Sequence, residues 1–175
     1  MADIRKRLGR LIQGVADFLK AEKTIIIDKE KIQLILPHRG SKLLLDKVTI
    51  TTEKISGEFL VTEVVCEGHA VWEGKLVLPG AYLFEMAAQL LGVWAAQHSD
   101  FKFEGSKTVV REYGGAKFIK PVFPGELLVL EINSNDVSAE ILREGKMIIV
   151  SGNNFSARVG EEKKADVYSA ELMIF

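Results

Sequence analysis

Residues 78–94 read Leu-Pro-Gly-Ala-Tyr-Leu-Phe-Glu-Met-Ala-Ala-Gln-Leu-Leu-Gly-Val-Trp, and the fold turns on how this stretch is read. Pro79-Gly80 sits where a helix begins, and the apolar residues that follow surround nearly the whole circumference, so the spacing predicts a buried helix from Pro79 to about Gln97. One side chain does not fit that surface. Glu85 stands early in the helix, and a buried, unpaired carboxylate is expected to be held neutral at a raised pKa, the state a proton donor needs. Gly68-His69 precedes the helix and supplies a candidate base, because imidazole titrates near about pH 6.5.

Working outward, the flanking segments are β-rich. Val48 to Thr52, Ile55 to Val65, Thr108 to Val110, Leu127 to Ile132, Met147 to Val150 and Ala165 to Ile174 carry the β-branched runs of about five or six strands. Gly160-Glu161-Glu162-Lys163-Lys164 reads as a charged, solvated hairpin turn. Asp28 is placed to cap a short helix running to Leu36, which Pro37 ends. A long central helix among antiparallel strands gives an α+β class. Before it, Ile4, Leu8, Leu11, Ile12, Val15, Phe18 and Leu19 recur at helical spacing, so residues 1–22 are expected to form an amphipathic extension and residues 23–175 the folded domain.

Composition narrows the function. The 175 residues are 47% hydrophobic and 27% charged with a net charge of −1, which fits one ordinary core and offers no basic field for nucleic acid. No run approaches a membrane span, no secretory leader is evident, and a reducing, cytoplasmic compartment is compatible. The single cysteine, Cys66, excludes an intrachain disulfide, and no base accompanies it to make a nucleophile. His38, His69 and His98 lack metal-ligand spacing, so neither a metal nor another cofactor is expected. His38 is expected to order the turn after Pro37 rather than to do chemistry, and His98, at a helix end, is assigned no function.

Four motifs in register resemble the β-hydroxyacyl-acyl-carrier-protein dehydratases, which have the hotdog fold. They are Leu36-Pro37-His38-Arg39 with Leu43-Leu44-Leu45-Asp46-Lys47-Val48; Gly68-His69; Leu78-Pro79-Gly80 with Glu85-Met86-Ala87-Ala88-Gln89; and Ala116-Lys117-Phe118-Ile119-Lys120-Pro121-Val122-Phe123-Pro124-Gly125-Glu126. The resemblance implies an antiparallel sheet wrapped around the helix and a lyase that converts a 3-hydroxyacyl thioester to the trans-2-enoyl thioester. His69 would take the C2 proton and Glu85 would protonate the leaving hydroxyl. Helix-start N–H groups would receive charge from the thioester carbonyl. Gly80, Ala81, Gln89, Trp72 and Phe118 are assigned to substrate contact, with Gln89, four residues after Glu85, orienting the carboxyl.

The resemblance further implies that the histidine and the acid meet across a homodimer interface, with a trimer of dimers left open. The substrate would arrive on an acyl carrier protein, for which Arg39, Lys42, Lys117 and Lys120 are the expected contacts. Two departures bear on substrate choice. Ala70-Val71-Trp72-Glu73-Gly74-Lys75 replaces the family's Phe-Pro-Gly loop and lengthens the path to Glu85 by two residues, and Gly40-Ser41-Lys42 replaces an aromatic-Pro-aromatic segment. These departures keep two alternatives open, a hotdog acyl-thioesterase and a non-catalytic acyl-binding protein.

Overall fold

The computed structural model describes residues 24–98, 107–142 and 147–175. The expected amphipathic helix over residues 1–22 lies outside them. β1 (Ile25–Asp28) runs directly into α1 (Lys29–Ile35), and the Asp28 carboxylate accepts the Lys31 N–H at 3.0 Å, as its capping position requires. β2 (Lys47–Ile50) and β3 (Lys54–Leu60) follow. The stretch expected to continue as one strand to Val65 instead stops at Leu60 and turns into a short helix, α2 (Glu63–Cys66). Its polarity changes there because Val61 is tied across to Glu126, its N–H to that carbonyl at 3.0 Å, while Val65 and Cys66 turn into the core.

β4 (Val71–Trp72) and β5 (Lys75–Leu76) form a separate hairpin that the strand pattern did not reveal. Its two turn residues, Glu73 and Gly74, both have positive φ, 50° and 78°, the geometry of a tight primed turn in which glycine relieves the steric cost. α3 (Ala81–His98) is the predicted central helix, entered through a tight turn in which Tyr82 and Leu83 donate to the Pro79 and Gly80 carbonyls. It is buried continuously from Met86 to Val93.

β6 (Thr108–Tyr113), β7 (Ala116–Phe118), β8 (Leu127–Asn133), β9 (Val137–Leu142), β10 (Met147–Val159) and β11 (Glu162–Ile174) complete the fold. Among the described residues, nine strands share one antiparallel sheet, more than the five or six expected. Its order is β1-β2-β3-β8-β10-β11-β6, with β9 also on β10 and β7 also on β11. The three not expected are β1, whose Ile25-Ile26-Ile27 run was passed over ahead of the Asp28 cap, β7, which carries no β-branched run, and β9; β10 also runs on past Val150, where polar Asn153-Asn154 interrupts the apolar pattern.

That interruption shapes the sheet. Buried residues alternate at Ile148, Val150 and Gly152, then resume out of phase at Phe155 and Ala157, and Asn154 takes a left-handed φ of 64°. β11 changes phase opposite, between Val167 and Ala170. The bent pair lets the sheet curl around α3, which packs on β2, β3, β6, β8, β10 and β11. Met86, Leu90 and Leu91 meet Leu45, Ile55, Leu130, Ile148 and Phe155 in one core. This is the α+β hotdog architecture.

Candidate active site

The N-terminus of α3 separates two cavities, and each holds one of the two titrating residues singled out by the sequence. On one side lies a cavity of about 430 Å³ lined mainly by apolar groups, among them Trp72, Leu78, Gly80, Phe118 and Val122, together with His69. His69 follows α2 through Gly68, whose φ is 73°. Its Nδ1 lies 3.2 Å from the Val77 carbonyl oxygen. A carbonyl only accepts, so the neutral ring carries its proton on Nδ1 and leaves Nε2 as the free base. The hairpin makes this possible: Val77 is held by its own N–H to the Ala70 carbonyl at 3.1 Å, on the far side of β4 and β5.

Gly80 has a reason visible in the packing. A Cβ there would stand 2.7 Å from the Phe118 ring, so only glycine lets that ring close over the helix start. Phe118 itself packs edge-on to Phe84 at 6.5 Å. Trp72 is 58% exposed at the cavity rim and therefore does not fill the core. The first N–H groups of α3 have no intrahelical acceptor and bring the positive end of the helix dipole to the Gly80 wall.

On the other side, a cavity of about 460 Å³ is lined by His38, Ser41, Lys42, Ala81, Tyr82, Glu85 and Tyr113. Gln89 is buried and makes three contacts at once. Its Nε2 donates to Glu85 Oε1 at 2.9 Å and to the Lys42 carbonyl at 2.8 Å, and its Oε1 accepts the Leu44 N–H at 2.9 Å. The expected Glu85–Gln89 pairing is therefore present, and the same amide pins the loop before β2.

Glu85 departs from expectation. It is only half-buried and it is paired: His38 Nε2 lies 3.1 Å from Oε1. The hydrogen bond from His38 outweighs burial and, with that from Gln89 and the nearby Lys42 charge, holds the carboxyl below its ordinary range, not above it. His38, expected only to order a turn, thus faces the acid. Tyr113 is a second residue that sequence reasoning passed over. Burial and the Glu85 charge push its phenol up to about 12, so it remains a hydroxyl beside the carboxylate. Nothing local in the sequence announces either contact, although the Leu-Pro-His-Arg motif was the available signal for His38.

Lys164 is the third. The turn expected to be solvated buries this ammonium, which lines the His69 cavity between Glu162 at 2.8 Å and Glu126 at 3.3 Å. Burial works against its charge, yet the two carboxylates together hold it above its ordinary value. The expected carrier contacts are also partly committed elsewhere. Arg39 folds back onto the Leu36 and His38 carbonyls at 2.7 Å each, and Lys120 pairs with Glu162. Lys42 lies 3.5 Å from the Tyr82 hydroxyl.

Among the described residues, no hydrogen bond or ion pair joins His69 to Glu85, and no cluster of side chains could hold a metal ion. No helix there is long and apolar enough to cross a membrane.

An antiparallel sheet wrapped on a buried helix defines the hotdog fold, and here an imidazole and a carboxyl flank the start of that helix. The model of the FabA-like domain family matches residues 36–158, and the chain belongs to that family. The 3-hydroxyacyl-(acyl-carrier-protein) dehydratase FabZ of Geobacter metallireducens is 30% identical over 131 residues, covering 73% of this chain and 86% of that protein. FabZ of Campylobacter jejuni strain RM1221 is 35% identical over 136 residues, covering 74% and 88%. Among solved structures, the fluoroacetyl-CoA thioesterase FlK shares the fold with a TM-score of 0.50 at 12% identity, covering 70% of this chain and 85% of FlK.

Proposed function

We propose that this protein dehydrates 3-hydroxyacyl thioesters carried on acyl carrier protein to trans-2-enoyl thioesters, using His69 as base and Glu85 as acid. The observation that carries the reading is the His69–Val77 contact, which leaves Nε2 unprotonated in an apolar cavity beside a helix start. The acyl chain lies in that cavity, against Phe118 and Trp72. His69 Nε2 removes the C2 proton, and charge on the thioester oxygen is met by the Gly80 and Ala81 N–H groups. The protonated form of Glu85, a stronger acid because His38 and Gln89 stabilise the carboxylate it becomes, delivers a proton to the departing C3 hydroxyl, which leaves as water, and the C2 proton then passes from His69 to Glu85 to restore it.

The family resemblance implies a complete site that takes His69 from one protomer and Glu85 from its partner in a homodimer, and the placement of the two residues on opposite sides of the α3 start supports that reading. The exposed edge strand β6, with Val109, Val110 and Tyr113 each more than a third exposed, supports such a partner, because bare apolar edges are otherwise covered or charged. The thioester would be presented on its pantetheine arm by an acidic carrier, and Lys117 and Lys42 are the basic groups at hand.

Enoyl absorbance followed together with free thiol tests the reading, with 3-hydroxybutyryl and 3-hydroxydecanoyl thioesters on carrier protein and on a pantetheine mimic. Enoyl product without thiol release is the expected outcome. Thiol release without enoyl product would replace dehydration by hydrolysis, and binding without either product would replace it by acyl binding.

A further inference from the structure

We propose that His38 is the positioning residue of the acid half of the site, selecting which oxygen of Glu85 carries the transferable proton. The proposal rests on the dehydration reading above and goes beyond it, because neither base nor acid needs a second histidine in principle. The geometry is specific. Both donors, His38 Nε2 at 3.1 Å and Gln89 Nε2 at 2.9 Å, converge on the same oxygen, Oε1. Among the described residues no protein donor reaches Oε2. An oxygen that already accepts two hydrogen bonds is the poorer site for a proton, so the protonated acid carries its hydrogen on Oε2, the oxygen left for substrate.

His38 is suited to this as an Nε2–H donor. Its Nδ1 is buried with no hydrogen-bond partner among the described residues. The Nε2–H tautomer leaves a bare lone pair there, whereas the Nδ1–H tautomer would bury an N–H without an acceptor and lose the contact to Glu85. The backbone is arranged to hold the ring: Pro37 precedes it, and the Arg39 guanidinium clasps the Leu36 and His38 carbonyls. The remaining titratable groups facing Glu85 are Lys42, on the turn Gly40–Lys42, and Tyr113, on β6, while Tyr82 shares the cavity from α3. His38 is the one among them that touches the carboxyl oxygen.

The arrangement has a sign that can be read. Removing the His38 donor takes away the largest influence lowering the Glu85 carboxyl and leaves the burial that raises it, so the carboxyl titrates at higher pH. In kcat/KM against pH, whichever limb Glu85 sets moves to higher pH. For H38L we expect this shift together with a fall of about tenfold in kcat and little change in KM, since the lost contact acts on proton transfer and not on acyl binding. H38Q, whose amide nitrogen occupies the position of Nε2, restores both. H38N, whose amide stops short of Glu85, behaves as H38L and serves in its place if H38L does not fold.

A profile for the donor-less variant that superimposes on the wild type overturns the proposal, as does equal loss in H38Q and H38L. Wild-type protein that makes no enoyl product fails the dehydration reading instead. Positioning is then judged without substrate, by the ¹³C NMR titration of the Glu85 carboxyl: an upward move in H38L upholds the contact's role, and an unmoved curve rejects it.

Discussion

The two sides of the α3 N-terminus are built differently. On the His69 side, the imidazole rests on one backbone carbonyl, borrowed from a two-stranded hairpin at the protein surface. On the Glu85 side, the carboxyl sits on a buried helix and is gripped by His38 and by an amide that also anchors the Lys42–Leu44 loop. A base needs an unencumbered lone pair, and one contact on the opposite nitrogen provides it. In the proposed reaction, an acid whose proton must leave from one chosen oxygen needs more restraint, and the network on the other oxygen would supply it.

The sharpest way to break this contrast is to remove either end. His69→Ala and Glu85→Gln should each lower kcat/KM by about 10³-fold, measured by enoyl formation. If the two sides belong to different protomers of one site, mixing the two variants and allowing subunits to exchange should recover about a quarter of wild-type activity, because half of the dimers are mixed and each holds one intact site. Recovery of nothing would place both residues in a single-protomer site or end the dimer reading.

Next in size is the amide. Gln89→Leu strands the buried Leu44 N–H and leaves the part-buried Lys42 carbonyl without its donor, and we expect a loss of about 2 kcal/mol, several degrees in Tm by thermal unfolding. A fall in kcat beyond that seen in H38L would show that loop anchoring and carboxyl orientation are one function. On the opposite side, Lys164→Met leaves Glu126 and Glu162 without the ammonium that lies between them. Both carboxylates reach solvent, so the cost should be smaller, about 1–2 kcal/mol in denaturant unfolding, with Glu85-dependent chemistry intact.

The smallest effect is expected at the rim. Trp72→Ala opens the His69 cavity without touching the acid side, and should shift the ratio of kcat/KM for decanoyl over butyryl substrates about tenfold toward the longer chain. An unchanged ratio would mean that the acyl chain does not pass beneath the hairpin.

What could be read in the chain follows from how local each signal is. The central helix, the Asp28 cap, the break at Pro37 and the hairpin at Gly160 are each written within a few residues, where periodicity, capping and turn chemistry act, and each appears in the structure. Glu85–Gln89 was legible for the same reason, since residues four apart meet on a helix. β7 was lost because Ala116–Phe118 carries no β-branched run, β10 was cut short where polar Asn153-Asn154 interrupts it, and β1 was overlooked although Ile25-Ile26-Ile27 announces a strand.

By itself, then, the sequence determined a buried helix bearing one carboxyl, a histidine just before it, and a β-rich remainder to wrap it. Only the tertiary structure decided the state of those groups. His38 reaches Glu85, Gln89 reaches Lys42 and Leu44, and Lys164 reaches Glu126 through contacts between residues far apart in the chain. The charge a side chain carries depends on which partners folding brings within about 3 Å, and on how much water it removes around them. Burial alone predicted a neutral Glu85; the fold put two donors on one of its oxygens.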